Sequence, residues 1–366
     1  MKSTKSKIHE KTYVVIMAGG RGTRFWPESR NHYPKQFLRI VGDDSMIRQT
    51  FNRVSGIAPP DRIYVVAADQ HISLVREHIP ELSEDNILLE PVGRNTAPCI
   101  AWASALIHRK QKDAVIAILA SDHVINPTEA FKEQMQAAAM LAAETDKIVT
   151  LGIPPDNPET GYGYLQMGQM LGEINELTYS EVFRFIEKPD RLSAERYLRE
   201  GGYLWNSGIF VFTAKRILDE INRHQPEILE GIFEIVESDN NREVVKKVFP
   251  ELPSVSVDIG IMERARGSIL GMPVNFDWSD VGSWKSLYDH ISPDDDNNYL
   301  KGDCLFKDCK RVLGWSKERL IVGIGLEDII IVETADAVLV CKKDKAQKVA
   351  ETVKVMEQSK ARKRYI

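Results

Sequence analysis

The chain has 366 residues, 43% of them hydrophobic, with 48 lysines and arginines against 53 aspartates and glutamates and a formal net charge of -5. That length fits one large domain plus a small one with a packed core, and the acidic balance excludes general nucleic-acid binding. No apolar run approaches the roughly 20 residues that cross a bilayer, and the polar, basic start lacks the apolar segment of a secretory signal.

Residues 1–11 read as a flexible N-terminal arm. The apolar run Tyr13-Val14-Val15-Ile16 then has the β-branched character of a buried strand. It feeds Met17–Leu38, M-A-G-G-R-G-T-R-F-W-P-E-S-R-N-H-Y-P-K-Q-F-L. Gly19, Gly20 and Gly22 allow close backbone approach, so Ala18–Thr23 can offer a row of N–H groups to an anion. Arg21, Arg24, Arg30 and Lys35 add positive charge, a combination suited to a polyphosphate. The loop lacks the Gly-Lys-Ser/Thr ending of a Walker loop, and Phe25 stands where a dinucleotide fingerprint needs glycine.

Further on, the pattern predicts helices over Met46–Val54, Gln70–His78, Thr96–Arg109 and Glu129–Ala143. These alternate with strands at Ile63–Ala67, Ile87–Glu90, Val115–Ala120 and Ile148–Leu151. Such alternation implies a mostly parallel sheet covered by helices, with ligands beyond the carboxyl ends of its strands. Pro154–Gly163 is rich in turn residues. Strands are expected at Val182–Ile186, Gly208–Phe212 and Val274–Asp277. Helices are expected at Ser193–Glu200, Ala214–Asn222, Pro226–Glu237, Arg242–Phe249, Ile259–Arg264 and Trp284–His290. The acidic break Asp294–Asn298 marks a boundary between residues 12–293 and 298–366. Short β runs follow at Cys304–Phe306, Arg311–Leu313, Leu320–Gly323, Ile329–Glu333 and Ala337–Cys341, then an amphipathic helix over Asp344–Gln358 and a basic tail at Lys360–Arg364. Cys99, Cys304, Cys309 and Cys341 lack C-x-x-C and zinc spacing, so reduced thiols in a cytoplasmic protein are expected.

Taken singly, the polar motifs have plain structural readings. Asp122 after an apolar strand is a turn or cap residue, or a carboxylate facing the ligand crevice. Asp280 in Trp278-Ser279-Asp280-Val281-Gly282-Ser283-Trp284 could cap the next helix. Glu187-Lys188-Pro189 could be a surface ion pair, Glu159–Tyr164 a hairpin turn, and Asn95 or Thr96 in Glu90–Pro98 a helix cap. Taken alone, Trp205-Asn206-Ser207-Gly208 is more often structural.

Jointly they resemble the sugar-1-phosphate nucleotidyltransferases. The form W-P-x-S-R-x-x-x-P-K-Q-F-L is most similar to the guanylyltransferases that use mannose 1-phosphate, with Phe25 where that pattern usually has leucine. The resemblance is strong over Val14–Asp289 and weaker in the tail. It implies a Rossmann-like α/β domain with a mixed, mostly parallel sheet, followed by a small β domain like a short β-helix. The implied reaction joins GTP and mannose 1-phosphate into GDP-mannose and pyrophosphate, with Mg²⁺. In that scheme Asp122 and Asp280 hold the metal, and Arg24 and Lys35 neutralise the phosphates. Ala18, Gly19, Gly20, Arg21, Gly22, Thr23, Pro91, Arg94, Asn95 and Thr96 bind the nucleotide. Gly161, Tyr162, Glu187, Lys188 and Asn206 bind the sugar phosphate. No nucleic-acid or membrane partner is implied, and a homodimer is left open. Residues 298–366 are too few for an isomerase cupin besides the β unit, so no isomerase activity is expected. The rivals are another base or hexose 1-phosphate, a non-catalytic GDP-mannose-binding regulatory subunit, or a glycosyltransferase. The last would need a D-x-D motif, and only Asp294–Asp296, at the boundary, offers one.

Overall fold

The computed structural model describes residues 8–288 and 293–366. The chain folds into two compact units. The first takes the chain up to Gly19, Thr50–Ser121 and Ile125–Trp278; the second takes Gly20–Gln49, Asp122–Val124 and Ser279–Ile366.

In the first unit, β1 (Thr12–Ala18), β2 (Ile63–Ala68), β3 (Ile87–Glu90) and β4 (Val115–Ala120) form the parallel half of a nine-stranded sheet. Two short strands, β5 (Val124–Asn126) and β11 (Asp277–Ser279), lie outside it. The sheet is completed by β6 (Ile148–Ile153), β7 (Tyr164–Ile174), β8 (Leu177–Ile186), β9 (Tyr203–Thr213) and β10 (Ile269–Pro273) in the order β3-β2-β1-β4-β9-β6-β10-β8-β7. Only β8 and β9 run against the others, so the sheet is mixed and mostly parallel, as expected. Val15 joins a core built around helix Thr96–Lys110, Phe210, Phe212 and Ile217. Val14 and Ile16, equally buried, alternate to the opposite face. Burial on both faces explains the uninterrupted apolar run.

Several elements depart from expectation. β7 was not apparent in the sequence, and β8 begins at Leu177 rather than Val182. The two form a hairpin whose turn residues Asn175 and Glu176 both have positive φ, 49° and 68°. The usual glycine of such turns is missing, and register shifts break the alternation along β7. The strand expected at Val274–Asp277 is instead β10, ending at Pro273, and the short β11. The helix expected at Ile259–Arg264 is a π-helix over Asp258–Met262.

The second unit ends in β12 (Tyr299–Lys301), β13 (Cys304–Lys307), β14 (Leu313–Ser316), β15 (Ile321–Ile324), β16 (Ile329–Thr334) and β17 (Ala337–Lys342). β12, β14 and β16 stack in parallel, as do β13 and β15 on another side. Successive coils each giving one strand to each stack make a short β-helix, which antiparallel β17 closes. Val349–Glu357 is helical after a 3-10 segment at Lys343–Lys348. Helix Trp284–Tyr288 is formed; the rest of the expected Trp284–His290 helix lies outside the described residues, as do residues 1–7 of the expected arm.

Candidate active site

In the second unit the glycine loop and Lys35 are built around each other. Gly22 has φ +59, and a Cβ there would lie 2.2 Å from the Cβ of Lys35, so both conformation and space demand glycine. The loop is pinned by Ser29, whose Oγ donates to the Gly22 carbonyl at 2.6 Å. Lys35 is 4% exposed. Its Nζ donates to Asp122 Oδ2 at 2.7 Å and to the Asp280 carbonyl at 2.7 Å. Arg24 Nη1 donates to the Gly282 carbonyl at 3.2 Å. A Cβ on Gly282 would lie 2.6 Å from Asp280 Oδ2 and 3.1 Å from Arg24 Nη1, so this glycine lets carboxylate and guanidinium converge. Val281 beside it holds φ +39, costly for a β-branched residue and of the kind stored at functional sites.

Gly22, Thr23, Arg24, Lys35, Asp122, His123, Asp280 and Gly282 thus line one cleft of about 280 Å³. Burial would raise the Asp122 carboxyl, but the charges of Lys35 and His123 and the Lys35 hydrogen bond hold it below the usual range. The Asp122 side chain nevertheless keeps 33% of its surface, so an ionised oxygen donor opens on the cleft.

The motif aromatics are the scaffold. Phe25 and Trp284 rings lie 5.0 Å apart, Trp284 meets Trp315 edge-on at 5.3 Å, and Trp284 Nε1 donates to the Trp26 carbonyl at 3.1 Å. Two of the four loop cations are committed elsewhere in this unit. Arg30, expected at the phosphate loop, pairs with Asp336 at 2.7 Å and donates to the Tyr365 carbonyl at 2.6 Å. Arg21 donates to Asn31 Oδ1 at 2.7 Å and pairs with Glu357.

In the first unit, the residues expected to bind the sugar phosphate include Glu187 and Lys188 just after β8 and Asn206 within β9. Glu187 pairs with Lys188 at 2.7 Å, and its backbone N–H donates to Glu263 Oε1 at 2.9 Å. A Cβ on Gly163 would lie 2.7 Å from Glu187 Oε2 and 3.4 Å from Asn206 Cβ. The Asn206 amide donates to Asp258 Oδ1 at 3.1 Å, while its Oδ1 accepts from Thr150 Oγ1 and the Gly208 N–H, both at 3.2 Å. Tyr162 stands edge-on to Trp205 and Trp278, at 5.3 and 5.2 Å. The Gly161 N–H is taken by Glu159 Oε1 at 2.8 Å. Burial first, and the charge of Glu187 second, push Asp258 up to about 6.

The same unit carries Ala18, Gly19 and the Glu90–Thr96 segment. Asn95 Oδ1 accepts from the Thr96 N–H at 3.0 Å and caps helix Thr96–Lys110, a contribution of about 1 kcal/mol. Thr96 Oγ1 accepts from the Val257 N–H at 2.8 Å. Pro91 and Arg94 lie between β3 and that cap. Glu90, ending β3, is 5% exposed, and its Oε1 has no hydrogen-bond partner among the described residues. Burial pushes it up to about 8. A Cβ on Gly19 would lie 3.4 Å from Glu90 Oε2, so the acid lies against the backbone at the end of β1.

A family model described as nucleotidyl transferase matches residues 13–297, and one described as a MannoseP isomerase/GMP-like beta-helix domain matches residues 307–356. A Klebsiella pneumoniae protein named mannose-1-phosphate guanylyltransferase is 42% identical over 94% of this chain and 74% of its own length. The protein of that name from Escherichia coli K12 is 39% identical over 96% of this chain and 74% of its own length. The chain belongs to the mannose-1-phosphate guanylyltransferase family of nucleotidyl transferases. Among solved structures, a Thermus thermophilus protein titled mannose-1-phosphate geranyltransferase superposes with TM-score 0.85 at 30% identity, covering 95% of this chain and 99% of that one. A Helicobacter pylori structure titled mannose-6-phosphate isomerase covers 74% of this chain and 99% of its own at TM-score 0.60 and 30% identity.

For a guanylyltransferase-family chain, the motif residues fall into groups. Arg24, Lys35, Asp122 and Asp280 share one cleft, and Glu187, Lys188 and Asn206 share another cluster. Sequence reasoning passed over Glu90, Asp258 and Glu263. Only Glu90 left a signal, an acid closing the apolar run Ile87-Leu88-Leu89 before a proline. Asp258 and Glu263 reach their places through the π-helix, which no spacing announced.

Proposed function

We propose that this chain transfers GMP from GTP to mannose 1-phosphate, releasing GDP-mannose and pyrophosphate. Kinship across nearly the whole chain with proteins named for that reaction carries the reading, and the cation-and-carboxylate cleft agrees with it. The sugar phosphate oxygen attacks the α-phosphorus in line and pyrophosphate leaves, so no protein nucleophile is needed. Positioning and charge stabilisation do the work.

The Ala18–Thr23 backbone would cradle the phosphates, with Arg24 and Lys35 opposing charge on the α-phosphate and leaving group. Lys188, exposed and compact, would take the sugar phosphate, and Glu187 and Asn206 the hydroxyls, beside Tyr162 and Gly161. Pro91, Arg94, Asn95 and Thr96 would border the nucleotide, where the helix N-terminus favours negative charge.

Mg²⁺ fits the donor set of the second unit. Among the described residues no group of three or more His, Cys, Asp or Glu side chains could hold a metal, but Mg²⁺ beside a nucleotide uses one or two carboxylates plus phosphate oxygens. Asp122 and Asp280 would hold it, and it would supply Lewis-acid stabilisation of phosphate charge. Among the described residues no helix is long and apolar enough to cross a membrane, and the four unpaired cysteines suit a reducing cytoplasm.

The test is pyrophosphate release over a panel of nucleoside triphosphates and hexose 1-phosphates, with and without Mg²⁺. GTP with mannose 1-phosphate and Mg²⁺ is expected to turn over fastest. Preference for another pair reassigns the substrates, and GDP-mannose binding without turnover makes the chain a regulatory subunit.

A further inference from the structure

Arg30 belongs to the signature stretch, yet its side chain has nothing left to offer a ligand. An arginine has five N–H donors, and here each has a partner. Nε donates to the Pro27 carbonyl at 2.6 Å. Nη1 donates to the Tyr365 carbonyl at 2.6 Å and to Asp336 Oδ2 at 3.3 Å. Nη2 donates to Asp336 Oδ1 at 2.7 Å and to Thr334 Oγ1 at 3.2 Å. The side chain keeps 9% of its surface. A cation with every donor engaged is a poor phosphate ligand, so its value lies in what it holds.

On one side it holds the end of the chain's β-helix. Asp336 lies in the turn between β16 and β17, and its bidentate contact fixes the guanidinium plane. The Tyr365 carbonyl also accepts from Trp26 Nε1 at 2.7 Å, and Trp26 is buried against Val349, Val353 and Met356 of helix Val349–Glu357. On the other side it holds the glycine loop. Pro27 and Arg30 enclose Ser29, whose Oγ donates to the Gly22 carbonyl at 2.6 Å. The Arg30 backbone exchanges hydrogen bonds with Tyr33 at 3.0 and 3.1 Å, which sets the approach to Lys35. Gly22 in turn has no room for a Cβ beside Lys35. A shift of Arg30 therefore passes to Gly22 and Lys35, both of which line the cleft.

We propose that Arg30 is a positioning residue for the nucleotide: clamped by Asp336 and the Tyr365 carbonyl, it sets the Gly22 backbone and the Lys35 ammonium for the triphosphate. The end of the β-helix thereby governs affinity for GTP through Arg30, with no group of its own on the nucleotide. The proposal rests on the reading of Gly22 and Lys35 as triphosphate-binding groups.

The experiment is steady-state kinetics in GTP and in mannose 1-phosphate for Arg30→Ala, Arg30→Lys, Asp336→Asn and the double variant Arg30→Ala with Asp336→Asn, each well below its measured melting temperature. Arg30→Ala should lower kcat/KM for GTP about 10²-fold, the scale of a misplaced binding element, while KM for mannose 1-phosphate stays unchanged. Arg30→Lys keeps the charge but cannot match the bidentate contact, so it should restore only part of the loss. Asp336→Asn removes the ion pair and should raise KM for GTP about 10-fold; it carries the test if Arg30→Ala does not fold. The double variant should be no worse than Arg30→Ala, because both changes undo one clamp. Were Arg30 a phosphate ligand, Asp336→Asn would free it and tighten GTP. Were the clamp only structural, melting temperatures would fall with GTP kinetics unchanged. Either result overturns the proposal, as does an additive loss in the double variant. A wild type that prefers another nucleotide overturns the functional reading instead, and the clamp is then read on that nucleotide.

Discussion

Around Lys35 the acids meet cations; around Asp258 an acid meets an amide and another acid, with Lys188 only partly opposing their charge. In the first cluster the Asp122 carboxyl is held below its ordinary range against burial, with Lys35 and His123 opposing the desolvation. In the second, burial and Glu187 act together and lift Asp258 to about 6. The difference follows from what each cluster is proposed to meet. Phosphates and a divalent ion need fixed, full charges of both signs. Neutral hydroxyls need acceptors and donors, and tolerate an acid near its titration point. A buried ion pair is also weak as a source of stability, because desolvation offsets the Coulomb attraction. Keeping Lys35 at 4% exposure beside Asp122 is therefore better explained by chemistry than by folding.

The largest effect that can break this contrast is on Arg24. Its guanidinium converges with Asp280 over Gly282, in the cluster of full charges. By analogy with arginines that stabilise a transferring phosphoryl group, Arg24→Ala should lower kcat by about 10³-fold. Its melting temperature should stay close to wild type, since among the described residues the side chain makes one hydrogen bond, at 3.2 Å to a backbone carbonyl. Near-normal turnover would remove Arg24 from the chemistry and leave the cluster a structural knot.

A smaller effect sharpens the comparison by adding a third acid, one with no counter-charge. Glu90 has a folded value of about 8 against an ordinary 4.5, with burial as the cause. Between those values the folded chain keeps a proton that the unfolded chain releases, so stability is full below about pH 4.5 and is lost as pH rises toward 8. The loss is at most about 1.4 kcal/mol per pH unit in that window. Glu90→Gln cannot ionise, so its melting temperature relative to wild type should rise between pH 5 and pH 8. An equal difference at both pH values would show that Glu90 is ionised and paired in the fold.

How much of this was visible in the residues differs between regions for physical reasons. Helix Met46–Val54 and strands β3 and β4 fell at their expected bounds, because buried parallel strands read as unbroken apolar runs bounded by turns. Hairpin β7–β8 stayed hidden, since half of β7 is exposed, its ladder is bulged and its turn lacks glycine. Within the candidate site, Gly22 and Lys35 were legible through the dense Met17–Leu38 motif, and Asp122 and Asp280 only through the family resemblance. The commitment of Arg30 to Asp336 and Tyr365 was not, because a charge shows its sign in sequence but not its partner. Asp258 was illegible for a related reason: chain folding and not spacing brings Asn206 and Glu187 beside it.

The most direct measurement is the affinity of Mn²⁺, as a paramagnetic stand-in for Mg²⁺, for the complex with a non-hydrolysable GTP analogue. It would be read by electron paramagnetic resonance in wild type, Asp122→Asn, Asp280→Asn and Asp258→Asn. Losing even an indirect partner of a metal ligand costs 10- to 100-fold in affinity, so the first two variants should weaken Mn²⁺ by at least about 10-fold while Asp258→Asn leaves it unchanged. Wild-type affinity in both Asp122→Asn and Asp280→Asn would contradict the assignment of that cluster to metal and triphosphate.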